Sequence, residues 1–450
     1  MRLNVLFIAP AAQVLGGTQT WLDYLLPGLT GAGCRVTLGL TAGRFHDVDE
    51  YLLHHPFAKS IRIHAPTGTR EGRVKALAQA IDRESPDLVV VLNVVDVYEA
   101  VARLRNEQNR PIKVVATLHG LQPDFLQDFT AFAAHLDAVI CSNRLAQALV
   151  RERCTLPDER VLYAPYGVQL PTPRPEVARA HSDPLRLAWV GRFESHQKRV
   201  LELPAILAQA VRSGIDVTLD IAGGGPQEDT LRHAFAAAGV DDQMAFLGVL
   251  DAAALRDQLY RRCDVLLLTS SWETGPIVAW EALGEGMAML SSDYLGRRAE
   301  GSLHDNENCL LFAVGDIDGA VRGIAKLADP QLRARLAIAG RALVEHRYSQ
   351  VQSIGTWLEC LHTVHHAPAL AHAPLPQVET SGRLDRALGA RRGERVRELL
   401  GRRYPHTESG GEWPHTRGDL SEDDTDFWSW ARAVDAKASA HKNNNRNRDE

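Results

Sequence analysis

The sequence predicts an α/β protein: two doubly wound, Rossmann-like domains facing each other across a cleft, followed by a largely irregular C-terminal tail. Three observations carry this expectation. Short apolar, β-branched runs alternate with amphipathic stretches over most of the chain, the alternation pauses at a proline-rich segment and restarts, and the composition changes after about Ala367. A chain of 450 residues is also too long for one comfortable core, so two domains and an appendage are the natural partition.

The first series of runs covers residues 4–9, 35–40, 88–92, 113–118 and 138–141, and the second covers 185–190, 217–222, 244–247, 265–269 and 289–291. Near-continuous apolar strands separated by helices imply parallel sheets with both faces covered. Between the two series, PTPRPEVARAHSDP at 171–184 has the prolines and polar residues of an interdomain linker. The expected layout is a first domain over 1–172, a second over 173–346, a crossover helix over 347–366 returning to the first domain, and a partly disordered tail over 367–450. In open α/β sheets, ligands bind at the loops that follow the carboxyl ends of the strands.

Composition narrows the function. A formal net charge of −6 gives no basic footprint for a nucleic-acid partner. Six cysteines lie far apart without a C-x-x-C pair, which fits reduced thiols better than a disulfide framework or a zinc site. The N-terminal run MRLNVLFIAP is shorter than a signal-peptide core, and nowhere do about 18 apolar residues follow one another. A cytoplasmic protein is expected, with a peripheral contact at the inner membrane face left open.

The strongest chemical signal is SSWETGPIVAWEAL, in which Glu273 and Glu281 stand eight residues apart after the apolar run DVLLLT. A glycine turn opening a helix near Ile277 presents free backbone N–H groups and a positive dipole end to an anion. Glu281 then falls about two turns along that helix. Two carboxylates around an anion-binding turn suit a ligand whose phosphate is flanked by hydroxyl-rich groups; the plain alternative is a strand–loop–helix with two solvated acids.

WVGRFESHQKRV supplies Arg192 and Lys198 at a strand end, one a fork and the other a point charge for a diphosphate. DIAGGGP places Gly223, Gly224 and Gly225 at the next strand end, where they admit close approach of a nucleotide or simply make a tight turn. In the first domain, Gly16 and Gly17 follow the first strand, and TLHG sets His119 at the end of another. A lone histidine is more often structural than catalytic, but a polar side chain at this strand end would face the interdomain cleft, and His119 is taken as a catalytic candidate. D-x-D strings at 47–49, 316–318 and 424–426 are read as chance patterns rather than metal ligands.

Taken in order, the early glycine pair, TLHG, GRF…K, AGGGP, CDVLLLTSS and the E-x7-E element make residues 1–366 resemble the GT-B glycosyltransferases of family 4, the group 1 glycosyltransferases. The resemblance implies that the second domain holds a nucleotide-sugar donor and the first supplies most of the acceptor site. It implies diphosphate binding by Arg192 and Lys198, ribose binding by Glu281, and contact of Glu273 with the transferred sugar. Backbone groups near Gly275, Pro276 and Ile277 complete the donor site, and retention of anomeric configuration is implied as well. No tightly bound cofactor and no metal are expected; UDP-sugars are the favoured donors, GDP-sugars next. The acceptor is expected to be a glycan, a lipid-linked intermediate or a small molecule. SSDYLGRRAEGSL departs from the Gly-Gly-x-x-Glu loop of many relatives.

Two other functions keep these residues: a nucleotide-sugar epimerase on the same fold, and a nucleotide-sugar-binding scaffold without turnover. The tail carries Arg391, Arg392, Arg395, Arg397, Arg402 and Arg403 around Val396, Leu399 and Leu400, the pattern of a short basic amphipathic helix. It is expected to be dispensable for chemistry.

Overall fold

The computed structural model describes residues 2–11, 17–42, 47–171, 184–376, 382–402 and 424–446. They divide into two compact units, one of Met1–Ala164 with Ile354–Trp428 and one of Pro165–Ser353 with Ser429–Glu450.

Unit 1 is built on a seven-stranded parallel sheet: β1 (Asn4–Pro10), β2 (Arg35–Ala42), β3 (Ser60–His64), β4 (Leu88–Val91), β5 (Lys113–Leu118), β6 (Ala138–Cys141) and β7 (Val161–Tyr163). Their spatial order is β3-β2-β1-β4-β5-β6-β7. The central strand β4, LVVV, is buried at every residue, as a strand covered on both faces must be. Trp21, on the helix Gly17–Gly31, is fully buried and lies against Phe7 of β1 and Trp357 at ring-centroid distances of 6.4 and 5.0 Å. The helix Gln350–His366, which carries Trp357, begins within unit 2 and continues as part of unit 1.

Unit 2 holds a six-stranded parallel sheet: β8 (Leu185–Arg192), β9 (Val217–Gly224), β10 (Met244–Gly248), β11 (Val265–Leu268), β12 (Ala288–Ser292) and β13 (Leu310–Phe312), in the order β10-β9-β8-β11-β12-β13. Trp189, Leu219, Leu267 and Leu290 are among its buried core residues. Strand order reverses between β8 and β11, so the loops after these two strands diverge and leave a crevice at their carboxyl ends.

The tail is irregular over 368–376, in keeping with its composition, and helical in parts beyond. Its described residues include the helices Arg383–Leu388, Ala390–Leu399 and Thr425–Arg446. In unit 1, Glu394 is 1% exposed and accepts hydrogen bonds from the hydroxyls of Thr67 and Thr69, while Lys75 pairs with Glu398 at 2.6 Å. The inward face of Ala390–Leu399 is Gly393, Glu394 and Arg397, whereas Leu399 and Leu400 are exposed. Arg391 pairs with Glu107, and Arg397 with Asp385. Two of the six tail arginines are therefore committed to intramolecular pairs, and Arg403 lies outside the described residues. No helix among the described residues is long and apolar enough to cross a membrane.

Each D-x-D string begins a helix. Asp47 accepts from the N–H groups of Asp49 and Glu50, Asp316 from that of Gly319, and Asp424 from those of Asp426 and Phe427. Capping accounts for the first aspartate of all three.

Candidate active site

The candidate residues of unit 2 gather at the switch between β8 and β11. β8 ends at Arg192, whose backbone pairs with Gly224 of β9 and whose side chain is exposed. The chain then turns on Glu194, whose carboxylate accepts the backbone N–H groups of His196, Gln197 and Lys198 at 2.8, 2.9 and 2.6 Å. That turn is laced to the loop after β11. Thr269 donates its hydroxyl to Lys198 O at 2.7 Å, and Ser271 donates its N–H to Gln197 O at 2.7 Å. The two loops are thereby held as one wall.

Across this wall Lys198 Nζ meets Glu273 Oε1 at 2.6 Å, and Ser270 donates its hydroxyl to the same oxygen at 2.6 Å. Glu273 is 5% exposed. A carboxylate that far from water requires a charged partner, and Lys198 supplies it. An ammonium has three donors; the Glu273 contact uses one of those on Lys198 and leaves two for an oxyanion.

Gly275 follows at φ 113°, a conformation costly for any residue with a Cβ. Pro276 opens the helix Ile277–Gly284, and no side chain caps its first turn. Pro276 O accepts from Ala279 and Trp280, so the first helical N–H groups, at Ile277 and Val278, are not used in that turn. Trp280 is buried and stacks on Tyr348 at 4.0 Å with 3° between the ring planes.

Glu281 lies just over one helical turn beyond Ile277 rather than the two expected, because the helix starts only at Ile277. Burial pushes its carboxyl up to about 7, against the pull of the Tyr260 hydroxyl, which donates to Oε2 at 2.8 Å, and of Arg256. Near neutrality the group therefore divides between acid and carboxylate, the condition of a site tuned by desolvation.

The glycines of AGGGP have a structural cause. A Cβ on Gly223 would stand 1.9 Å from Gly191 O, and one on Gly225 would stand 2.8 Å from Phe193 N and O. The ends of β8 and β9 approach too closely for side chains. Gly224 is less constrained, its nearest neighbour being Val249 at 3.2 Å.

In unit 1, Gly17 starts the helix after β1, and Gly16 lies outside the described residues. His119 follows β5, with its ring 4.7 Å from that of Trp21. Burial pushes its imidazole down to about 3, so it is neutral throughout the physiological range.

The structure thus brings Lys198, Glu273, Gly275, Pro276, Ile277 and Glu281 to neighbouring loops and one helix of unit 2, while Gly17 and His119 belong to unit 1. Sequence reasoning missed Glu194, Tyr260 and Ser270. Glu194 could have been found: an acid four residues before Lys198 in a loop is positioned to accept backbone N–H groups. Tyr260 carries no such signal, because its hydroxyl reaches Glu281 only through the fold.

Comparison with known proteins places the chain in a family. Residues 175–343 match the model of the glycosyl transferases group 1, and residues 15–170 that of glycosyltransferase family 4. The glycogen synthase of Mycobacterium tuberculosis is 32% identical over 165 residues, 36% of this chain and 39% of that protein. The chain therefore matches about two fifths of that relative's length. The lipopolysaccharide 1,6-galactosyltransferase of Escherichia coli is 24% identical over 285 residues, 62% of this chain and 72% of that protein. Among solved structures, HepE of Anabaena in complex with UDP-glucose superposes with a TM-score of 0.64 at 19% identity, over 80% of this chain and 100% of that one. From the two matched regions and the two doubly wound sheets, the chain belongs to the group 1, family 4-like glycosyltransferases of GT-B fold.

Proposed function

We propose that the chain transfers a sugar from a nucleoside-diphosphate donor to a hydroxyl acceptor with retention of anomeric configuration. The observation that carries this reading is the Lys198–Glu273 pair, at 2.6 Å, beside the uncapped turn at Gly275–Ile277 with Glu281 further along the same helix. Lys198, Arg192 and the backbone N–H groups of the turn supply positive charge where a departing diphosphate accumulates negative charge. Glu281 receives the ribose hydroxyls. Glu273, held by Lys198 and Ser270, orients the sugar.

The bond from the anomeric carbon to the diphosphate breaks as the acceptor hydroxyl forms its new bond on the same face. The acceptor proton leaves with the diphosphate oxygen, and the transition state has oxocarbenium character. We assign the diphosphate charge to basic side chains and backbone rather than to a metal ion. His119, a neutral imidazole, serves as hydrogen-bonding group rather than as cation.

UDP-sugars are the favoured donors; the Anabaena fold relative was solved with UDP-glucose. A glycan or lipid-linked acceptor is favoured because the E. coli relative is named for lipopolysaccharide. Any peripheral membrane contact is assigned to exposed Leu399 and Leu400 beside Arg395, and Leu399→Ser with Leu400→Ser should abolish binding to anionic vesicles. A thermal-shift panel of UDP, GDP and their sugars, followed by transfer of labelled sugar to glycan and lipid fractions, tests the reading. Stabilisation by UDP-sugars with no label transferred, or epimerised donor without acceptor, would overturn it.

A further inference from the structure

We infer that Asp435, on the C-terminal helix Thr425–Arg446, is a positioning residue that fixes the loop holding Glu273, an inference resting on the sugar-orienting role proposed for Glu273. Asp435 lies outside both regions matched by the family models, and it is 5% exposed. Its carboxylate accepts the backbone N–H of Ala299 at 2.7 Å and that of Gly296 at 3.2 Å. Ala431 and Val434, on the same face of the helix, are buried beside it in the sequence pattern.

These two amides belong to the turn that opens the short helix Arg297–Glu300. Gly296 sits there at φ 102°, and no side chain of the turn itself caps it. The loop's own acid, Asp293, is engaged by Arg297 at 2.6 Å and Arg298 at 2.7 Å. Asp435 therefore supplies from 139 residues away what a local N-cap would ordinarily supply.

The consequence reaches the site through one residue. Leu295, immediately before Gly296, donates its N–H to Ser271 O at 3.0 Å and accepts the N–H of Glu273 on its carbonyl at 3.2 Å. The backbone position of Glu273 thus depends on a loop whose far side is anchored by Asp435. A second link runs through Glu300, which accepts the Tyr348 hydroxyl at 2.7 Å; Tyr348 stacks on Trp280 of the helix bearing Glu281. The hydrogen-bonded path to Glu273 is the shorter of the two, so the effect should fall mainly on the sugar rather than on the nucleotide.

The test uses the full chain with Asp435→Ala, Asp435→Asn and, as a control on the exposed face of the same helix, Lys437→Ala. Calorimetry with UDP, UDP-glucose and UDP-galactose is combined with amide hydrogen exchange over residues 293–300. Asp435→Ala should leave UDP affinity within about twofold while lowering UDP-sugar affinity or turnover by about tenfold, the scale of a lost cap. Exchange at Gly296 and Ala299 should accelerate. Asp435→Asn retains one acceptor, so it should show the same split at smaller size, and it serves if the alanine variant does not fold. Lys437→Ala should match the wild type. Unchanged exchange at Gly296 and Ala299 would overturn the anchor. Faster exchange with equal losses for UDP and UDP-sugar would overturn positioning in favour of general destabilisation. A wild type that binds UDP but gains nothing from the sugar would overturn the role of Glu273 itself, whatever the exchange shows.

Discussion

Replacing Glu281 with glutamine should remove a pH dependence from nucleotide binding. Burial raises the Glu281 carboxyl from its ordinary 4.5 to about 7. One pH unit below that value about a tenth of the groups are ionised, and one unit above it about nine tenths are. If ribose hydroxyls are held by the carboxylate, UDP affinity should rise about tenfold between pH 6 and pH 8 from this group alone. The terminal phosphate of UDP ionises in the same window, so the quantity to read is the ratio of wild-type to Glu281→Gln affinity at each pH. Stability should move oppositely. Between 4.5 and 7 the folded protein retains a proton that the unfolded chain releases, so the group's stabilising contribution is full below 4.5 and disappears as pH rises through about 7. About 2.5 units correspond to roughly 3 kcal/mol. Glu281→Gln should therefore gain on the wild type in denaturant titrations at pH 8 relative to pH 5. Calorimetry from pH 6 to 8 provides the binding arm; an affinity ratio independent of pH would rule out ribose binding by the Glu281 carboxylate.

Other substitutions separate the remaining parts of the site. Arg192→Ala should slow transfer by roughly two to three decades, because it removes charge that stabilises the leaving diphosphate, and wild-type turnover would take Arg192 out of the site. Glu273→Gln should spare UDP affinity and weaken the added contribution of the sugar, the reverse of Glu281→Gln; calorimetry with UDP and UDP-sugar in both variants checks the division. Gly223→Ala should destabilise the protein by more than about 1 kcal/mol in denaturant titration, since its Cβ would stand 1.9 Å from Gly191 O at a φ of 139°. Transfer activity should survive exhaustive chelation, and loss restored by manganese or magnesium would show that basic side chains do not suffice for the diphosphate.

Much of the architecture was legible because parallel strands buried on both faces leave unbroken apolar runs such as LVVV and VLLL. The edge strands β3, β7 and β13 were not anticipated. SIRIH at β3 has one buried residue, and β7 and β13 are three residues long, so neither periodicity nor length marks them. Glu273 and Lys198 were visible as polar residues in loops after strands, and Glu281 on the helix that follows, where sequence order and proximity coincide. Tyr260 and Asp435 were not, because each reaches its target across a long stretch of chain through tertiary packing. Composition reported the irregular part of the tail but not how its helix Ala390–Leu399 packs. Its arginines suggested an amphipathic surface, but a buried face of Glu394 and Arg397 relies on specific partners in Thr67, Thr69 and Asp385, which no helical periodicity reports.

The central claim is retaining transfer from a nucleotide sugar at the Lys198–Glu273 site. The most direct measurement is proton NMR of UDP-α-sugar consumption by purified protein with glycan and lipid-linked acceptors, reading the anomeric configuration of the first product. UDP release with an α-linked product is expected, with loss of that product in Glu273→Gln while UDP still binds. A β-linked first product, or undiminished transfer by Glu273→Gln, would contradict it.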